Sequence, residues 1–136
     1  MTHSEILSKT MLVDDSELDS LIFKMLIKMV LAKTDIETCP NGKIAIDRIK
    51  QMNKEQPGSL PEYIFLDIRM PEMDGWEFLQ EYDKLDIPVE LQSKIYMLSS
   101  SIDPHDLERS RIHPQVAGYL SKPIDIKKLR DILNLA

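Results

Sequence analysis

A chain of 136 residues has room for one domain with a real hydrophobic core. Its 43% apolar and 29% charged residues are ordinary for a folded globular protein, and a net charge of −6 with scattered basic residues argues against nucleic acid as a direct partner. No apolar run approaches the roughly 18 residues of a membrane span, and residues 1–9 lack the basic-then-apolar layout of a signal peptide, so no membrane is expected and the cytoplasm is the expected compartment.

Short apolar runs alternate with longer amphipathic stretches, the pattern of βα units around a parallel sheet. Residues 1–7 are expected to be a flexible tail and residues 8–136 one domain. Thr10-Met11-Leu12-Val13 reads as the first strand. A helix follows from Glu17 to about Ala32. At about 100° per residue, Ile22, Phe23, Leu26 and Val30 form one bulky stripe, and Leu18, Leu21, Met25 and Met29 an adjoining one. Lys24 and Lys28 mark the solvent side, and the β-branched and aromatic stripe is the better core candidate. Ile36 to Cys39 is the second strand. Cys39 is the sole cysteine, which excludes an internal disulfide, and it reads as a small apolar side chain at a strand end.

Asn41-Gly42 turns into a helix carrying Ile44, Ala45, Ile46 and Ile49, and Asn53 to Pro61 is expected to be a loop. Tyr63-Ile64-Phe65-Leu66 is continuously apolar, as a central strand covered on both faces must be. Asp74-Gly75 is a turn, and Trp76 to Leu85 is a helix in which Trp76 reads as packing. After a loop over Pro88 to Ser93, the fourth strand is Ile95 to Leu98. Asp103-Pro104 opens the fourth helix with an N-cap carboxylate and a proline at N1. Val116 to Leu120 is the fifth strand. The last helix starts near Asp125 and reaches the end, with Ile126, Leu129, Ile132 and Leu133 on one face, so a domain without an attached effector is expected. His3, His105 and His113 have no partners at metal-ligand spacing and read as surface histidines.

In open α/β sheets, ligands bind beyond the carboxyl ends of the strands. Asp14 and Asp15 follow the first strand, Asp67 the third, Ser99 and Ser100 the fourth, and Lys122-Pro123 the fifth. Any one of these is commonplace, since an Asp after a strand is often only a turn residue. Together they make a phosphate and metal site. Three converging carboxylates repel one another unless a cation sits among them, all-oxygen ligation suits Mg²⁺, one carboxylate can act as nucleophile, and Lys122 and a serine hydroxyl can hold phosphoryl oxygens.

The motifs Leu12-Val13-Asp14-Asp15, Phe65-Leu66-Asp67-Ile68-Arg69-Met70-Pro71-Glu72-Met73-Asp74-Gly75, Met97-Leu98-Ser99-Ser100 and Gly118-Tyr119-Leu120-Ser121-Lys122-Pro123 resemble the receiver domain of two-component response regulators, including chemotaxis-type single-domain members. The resemblance covers roughly Lys9 to Leu133. It implies a flavodoxin-like, doubly wound five-stranded parallel sheet of order 2-1-3-4-5 with five helices. It also implies a switch that takes a phosphoryl group from a histidine kinase or phosphotransfer protein and signals to a further protein target, catalysing only its own phosphorylation and dephosphorylation. Asp67 resembles the phosphoacceptor and a Mg²⁺ ligand, Asp15 a direct ligand, Asp14 one acting mainly through water, and Arg69 a ligand through its backbone carbonyl. Ser99 resembles the switch hydroxyl, Tyr119 the aromatic that follows it, and Lys122 the phosphate-binding lysine before a cis proline. Arg69 and Ser101 stand where relatives vary and tune phosphoryl lifetime, and the side chain of Arg69 could either shield the phosphoryl group or interact with it. The stretch between Ser99 and Gly118 is slightly longer than in compact relatives, so the fourth helix is expected to differ in shape. Leu18, Leu21 and Met25 either pack under a neighbouring helix or stay partly exposed beside Asp14 and Asp15; the resemblance favours the second as the docking surface for the kinase, because relatives present this helix to a helical bundle.

Three other readings compete. A phosphatase similar to the haloacid dehalogenase group would carry its nucleophile after the first strand in an Asp-x-Asp arrangement, whereas the isolated acid here follows the third. A degenerate receiver would lack part of the set, and all five site residues are present. A fragment of a longer regulator is the third alternative, and only the full reading frame would decide it.

Overall fold

The computed structural model describes residues 8–100 and 103–133. Along them run β1 (Lys9–Val13), α1 (Glu17–Val30), β2 (Asp35–Cys39), α2 (Gly42–Glu55), β3 (Tyr63–Asp67), α3 (Gly75–Asp83), β4 (Lys94–Ser99), α4 (Pro104–Ile112), β5 (Val116–Ser121) and α5 (Ile126–Ile132). The strands pair in parallel in the order β2-β1-β3-β4-β5, as expected. The tail 1–7, Ser101 and residues 134–136 lie outside the described residues.

β3 is central and all five of its residues are buried, so it must be apolar on both faces. Its alternate side chains feed two cores. Ile64 and Leu66 join Met11, Val13 and Met97 under α2 and α3. Tyr63 and Phe65 join Leu12, Leu98 and Leu120 under α1 and α5. On that second face Phe23 of α1 meets Phe65 edge-on, with ring centroids 4.9 Å apart, and Tyr96 stacks on Phe65 at 5.3 Å.

Every helix starts at the carboxyl edge of the sheet, and each start is capped by a side chain. Ser16, Asn41, Asp74, Asp103 and Asp125 accept backbone N–H bonds from the first turns of α1 to α5. Asp74 and Glu77 form a reciprocal capping box. The polar residues that close the strand-to-helix turns are therefore also what ring the site.

Several boundaries differ from the pattern in the sequence. α1 stops at Val30 and α3 at Asp83, each about two residues short of its apolar periodicity, because Leu31 and Lys84 close the last turns as C-caps. α2 continues through Asn53 to Glu55, into the expected loop, because polar residues can extend a helix whose inner face is already anchored by Met52. The loop over Pro88 to Ser93 contains a 3₁₀ turn at Val89–Leu91.

The facing of α1 needs a larger correction. Phe23 and Ile27 are its buried residues, while Ile22, expected in the core stripe, is 50% exposed. Leu26 and Val30 pack only partly against the core. Helical spacing itself separates the two: at about 100° per residue Ile27 stands about 40° from Phe23 and Ile22 about 100° away, so the inward stripe centres on Phe23 and Ile27. Ile27 joins the same core as Leu129 of α5 and its C-cap Leu133. Ile27→Ala should therefore cost about 2–5 kcal/mol in denaturant unfolding, whereas Ile22→Ala should stay within about 0.5 kcal/mol of wild type.

Candidate functional site

Four strand ends deliver the site. β1 leads into Asp14 and Asp15, β3 ends on Asp67, β4 ends on Ser99, and β5 leads into Lys122. Asp14 and Asp67 are buried and Asp15 is exposed. One carboxylate oxygen from each of the three lies within 4.8 Å of the others. Gly75 allows the acceptor loop to fold this tightly. A Cβ there would stand 3.0 Å from Ile68 Cα and 3.1 Å from the Asp67 carbonyl, while the Gly75 N–H donates to Ile68 O at 2.9 Å.

Lys122 crosses the site. Its Nζ donates to Asp14 Oδ2 at 2.7 Å, Asp19 Oδ2 at 3.0 Å and Asp67 Oδ2 at 3.4 Å. Burial alone would lower its proton affinity, but hydrogen bonds to Asp14 and Asp19 and the charges of Asp67 and Asp14 outweigh that and hold it firmly protonated. Asp67 is pushed up to about 6, chiefly by burial and then by the charge of Asp14, against the opposing pull of Lys122. One ammonium thus faces four carboxylates, counting Asp15 and Asp19. Such a donor set, of hard oxygens without thiolate or imidazole, fits a divalent cation.

The remaining expected residues fall around this centre. Ser99 is fully buried at the end of β4 and Ser100 is exposed, so the two serines point apart as strand alternation requires. The Lys122 N–H donates to Ser99 O at 2.7 Å, which ties the β5 loop to β4, and the Lys122–Pro123 bond is cis. Tyr119 is half-buried opposite Met97 in the β4–β5 register. The Arg69 N–H lies 3.3 Å from Asp67 Oδ1, but its guanidinium turns outward to pair with Asp103 and Asp106 on the fourth helix. Leu18, Leu21 and Met25 are 67%, 58% and 62% exposed on the flank of α1 next to Asp14 and Asp15.

Sequence reasoning missed two acids. Asp19 has its signal in Ser16-x-x-Asp19, because the third residue after an N-cap at a strand end faces the same edge as the cap. Asp106 is buried and accepts the Trp76 indole N–H at 3.2 Å, so Trp76 packs as expected but also makes a polar contact. No local pattern marks that pairing, because it joins residues 30 positions apart.

The cysteine reading fits the structure; of the expected surface histidines, His105 fits, His113 is only partly at the surface, and His3 lies outside the described residues. Burial and the nearby charge of Glu37 push the Cys39 thiol up to about 11, which suits a protonated core side chain. His105 is exposed, and His113 is half-buried with Nδ1 accepting the Gln115 N–H. Among the described residues the one cluster suited to a metal contains no histidine or cysteine, and no helix is long and apolar enough to cross a membrane.

Comparison with known proteins identifies the family and supports the fold. The family model for the response regulator receiver domain matches residues 10–134. A protein-glutamate methylesterase/protein-glutamine glutaminase of Cupriavidus pinatubonensis is 33% identical over 90% of this chain, which spans 31% of that protein. The histidine kinase CKI1 of Arabidopsis thaliana is 27% identical over 86% of this chain and 11% of its own length. The chain thus spans less than a third of the curated relatives it matches. The crystal structure of a two-component response regulator from Cytophaga hutchinsonii superposes with a TM-score of 0.84 at 27% identity, covering 94% of this chain and 95% of that one. With a family model matching residues 10–134 and a solved two-component response regulator superposing on the same fold, this chain belongs to the response regulator receiver domain family of two-component systems.

Proposed function

We propose that this receiver accepts a phosphoryl group on Asp67 from a histidine kinase or phosphotransfer protein, in a Mg²⁺-dependent reaction, and signals to a protein target by changing shape. The observation that carries the reading is the 4.8 Å cluster of Asp14, Asp15 and Asp67 with Lys122 Nζ across it. Asp15 and Asp67, the Arg69 carbonyl and, through water, Asp14 would hold the ion. Mg²⁺ there would neutralise the oxygens of an incoming phosphoryl group. The Asp67 carboxylate forms the new P–O bond as the P–N bond of the donor phosphohistidine breaks, and the electron pair leaves on the imidazole nitrogen. Lys122 moves from Asp14 and Asp19 onto the phosphoryl oxygens, a short transfer for a flexible ammonium already 3.4 Å from the acceptor. The chain spans 31% of one methylesterase relative but matches 95% of a solved response regulator, which fits either a lone receiver or one carried in a longer protein, and the reaction at Asp67 is the same in both. We place it in the cytoplasm, where a soluble phosphodonor is met.

The test is chemical. Incubation with Mg²⁺ and acetyl phosphate should add one phosphoryl group that survives acid and is lost in mild base, as an acyl phosphate is. No addition, or a base-stable linkage, would overturn the reading.

The two serines give a second test. Ser99 is buried at the end of β4, whereas Ser100 is exposed. Ser99→Ala should still take up phosphate but lose the change at Tyr119 that NMR of the tyrosine ring reports. Ser100→Ala should keep both. If Ser100→Ala alone uncouples Tyr119, the assignment of the switch hydroxyl is off by one residue.

A further inference from the structure

The guanidinium of Arg69 ties the acceptor loop to α4. Its Nη2 donates to Asp106 and, at 3.3 Å, to Asp103 Oδ2. The other oxygen of Asp106 takes the Trp76 indole N–H from α3. Arg109, one turn further along α4, lies over that indole at 4.4 Å from the ring centre. One buried carboxylate therefore joins the acceptor loop, α3 and α4. The helix has few other anchors: it buries only Asp106 and Ser110, the Ser110 hydroxyl has no partner, and Ile112 faces water. A helix held by charge pairing, without an apolar stripe, is one that a change of charge can release.

We propose that Arg69 and Asp106 form a charge latch that opens when Asp67 is phosphorylated, the phosphoryl group drawing the guanidinium away and the first turn of α4 moving out to hydrate Asp106. This deepens the acceptor reading above and rests on it. A phosphoryl group on the Asp67 carboxylate adds about one net negative charge and presents oxygens that match the guanidinium fork. Arg69 is half-exposed, so its pair with Asp103 is cheaply broken. Asp106 is different. Buried and left with one neutral indole donor, its carboxylate is poorly compensated, and it regains solvation only if α4 shifts.

Coupling of this kind is reciprocal. If the phosphoryl group and Asp106 compete for Arg69, neutralising Asp106 must tighten binding of a phosphoryl analogue at Asp67. Asp106→Asn keeps the shape and an oxygen for the Trp76 indole, and calorimetric titration with beryllofluoride in Mg²⁺ should show about fivefold tighter binding, the low end of coupling between sites. In an Arg69→Gln background the same substitution should change nothing, because the shared partner is gone. Unchanged affinity in Asp106→Asn, or an equal gain with and without Arg69, overturns the latch. Hydrogen exchange supplies a measurement independent of Asp106 variants. Amides of α4 in wild type should exchange faster once beryllofluoride is bound, and Arg69→Gln without it should already exchange at that faster rate. Beryllofluoride that binds without changing α4 exchange overturns the latch alone. Beryllofluoride that fails to bind wild type overturns the acceptor reading and the latch together.

Discussion

Asp67→Asn should abolish phosphoryl uptake from acetyl phosphate and from a histidine kinase alike, and in the same protein raise stability when no metal is present. The first effect is loss of the nucleophile: an amide oxygen at that position keeps the shape but cannot form a stable acyl phosphate. Persistence of label in the variant would exclude Asp67 as acceptor. The second effect follows from charge. Burial, aided by Asp14 and only partly opposed by Lys122, lifts the Asp67 carboxyl to about 6, whereas an unfolded Asp titrates near 4. Below about pH 4 the folded and unfolded chains both carry the proton, so the group leaves stability unchanged. As pH rises from there the unfolded chain ionises first, the fold loses stability, and above about pH 6 the whole penalty is present. The asparagine variant escapes it. Discounted for solvent screening, the gain is about 1 kcal/mol at pH 7, or roughly 3–5 °C in melting temperature, fading toward pH 4. Mg²⁺ should narrow the difference, because it stabilises the wild-type cluster more than the variant's. A variant that melts below wild type at every pH would mean that Lys122 holds Asp67 more strongly than burial opposes it.

Much of this site can be read before any coordinates. The acids, the serine and the lysine each follow an apolar run, and a parallel sheet brings all such positions to one edge whatever the details of packing. The alternation of β3 side chains between two cores was equally legible, because a strand buried on both faces has no polar position to spare. What local pattern could not give is partner choice across the fold. Lys122 reaches Asp19 across 103 positions, and Arg69 reaches Asp106 across 37. These pairings are set by how helices sit on the sheet, and no short window of sequence contains them.

Charge placed on the outer face of α1 should block the kinase while sparing the chemistry. Leu18, Leu21, Ile22, Met25 and Met29 are all large, apolar and at least half exposed, which is an unusual concentration for one face of a 14-residue helix. A groove of about 410 Å³ bounded by Leu21, Lys24 and Asp15 runs from this face toward Asp14 and Cys39, so a surface seated on the stripe stands beside the acid cluster. We propose the helical bundle that carries the donor histidine as its occupant, since a helix face offers an apolar ridge of matching length and must bring its imidazole to Asp67. Unbranched Met25 and Met29 can adapt to the partner's side chains. Burying one such residue is worth about 1.5–3 kcal/mol, and a lysine there adds the cost of desolvating its charge. Met25→Lys or Leu21→Lys should therefore slow phosphotransfer from the cognate kinase by roughly 10- to 100-fold. Uptake from acetyl phosphate should stay within about twofold of wild type, because neither side chain touches the acceptor. Melting temperature should also hold, since both residues already face water. Equal loss with both donors, or a melting temperature lowered by several degrees, would mean that the stripe supports the fold and is not the surface the kinase uses.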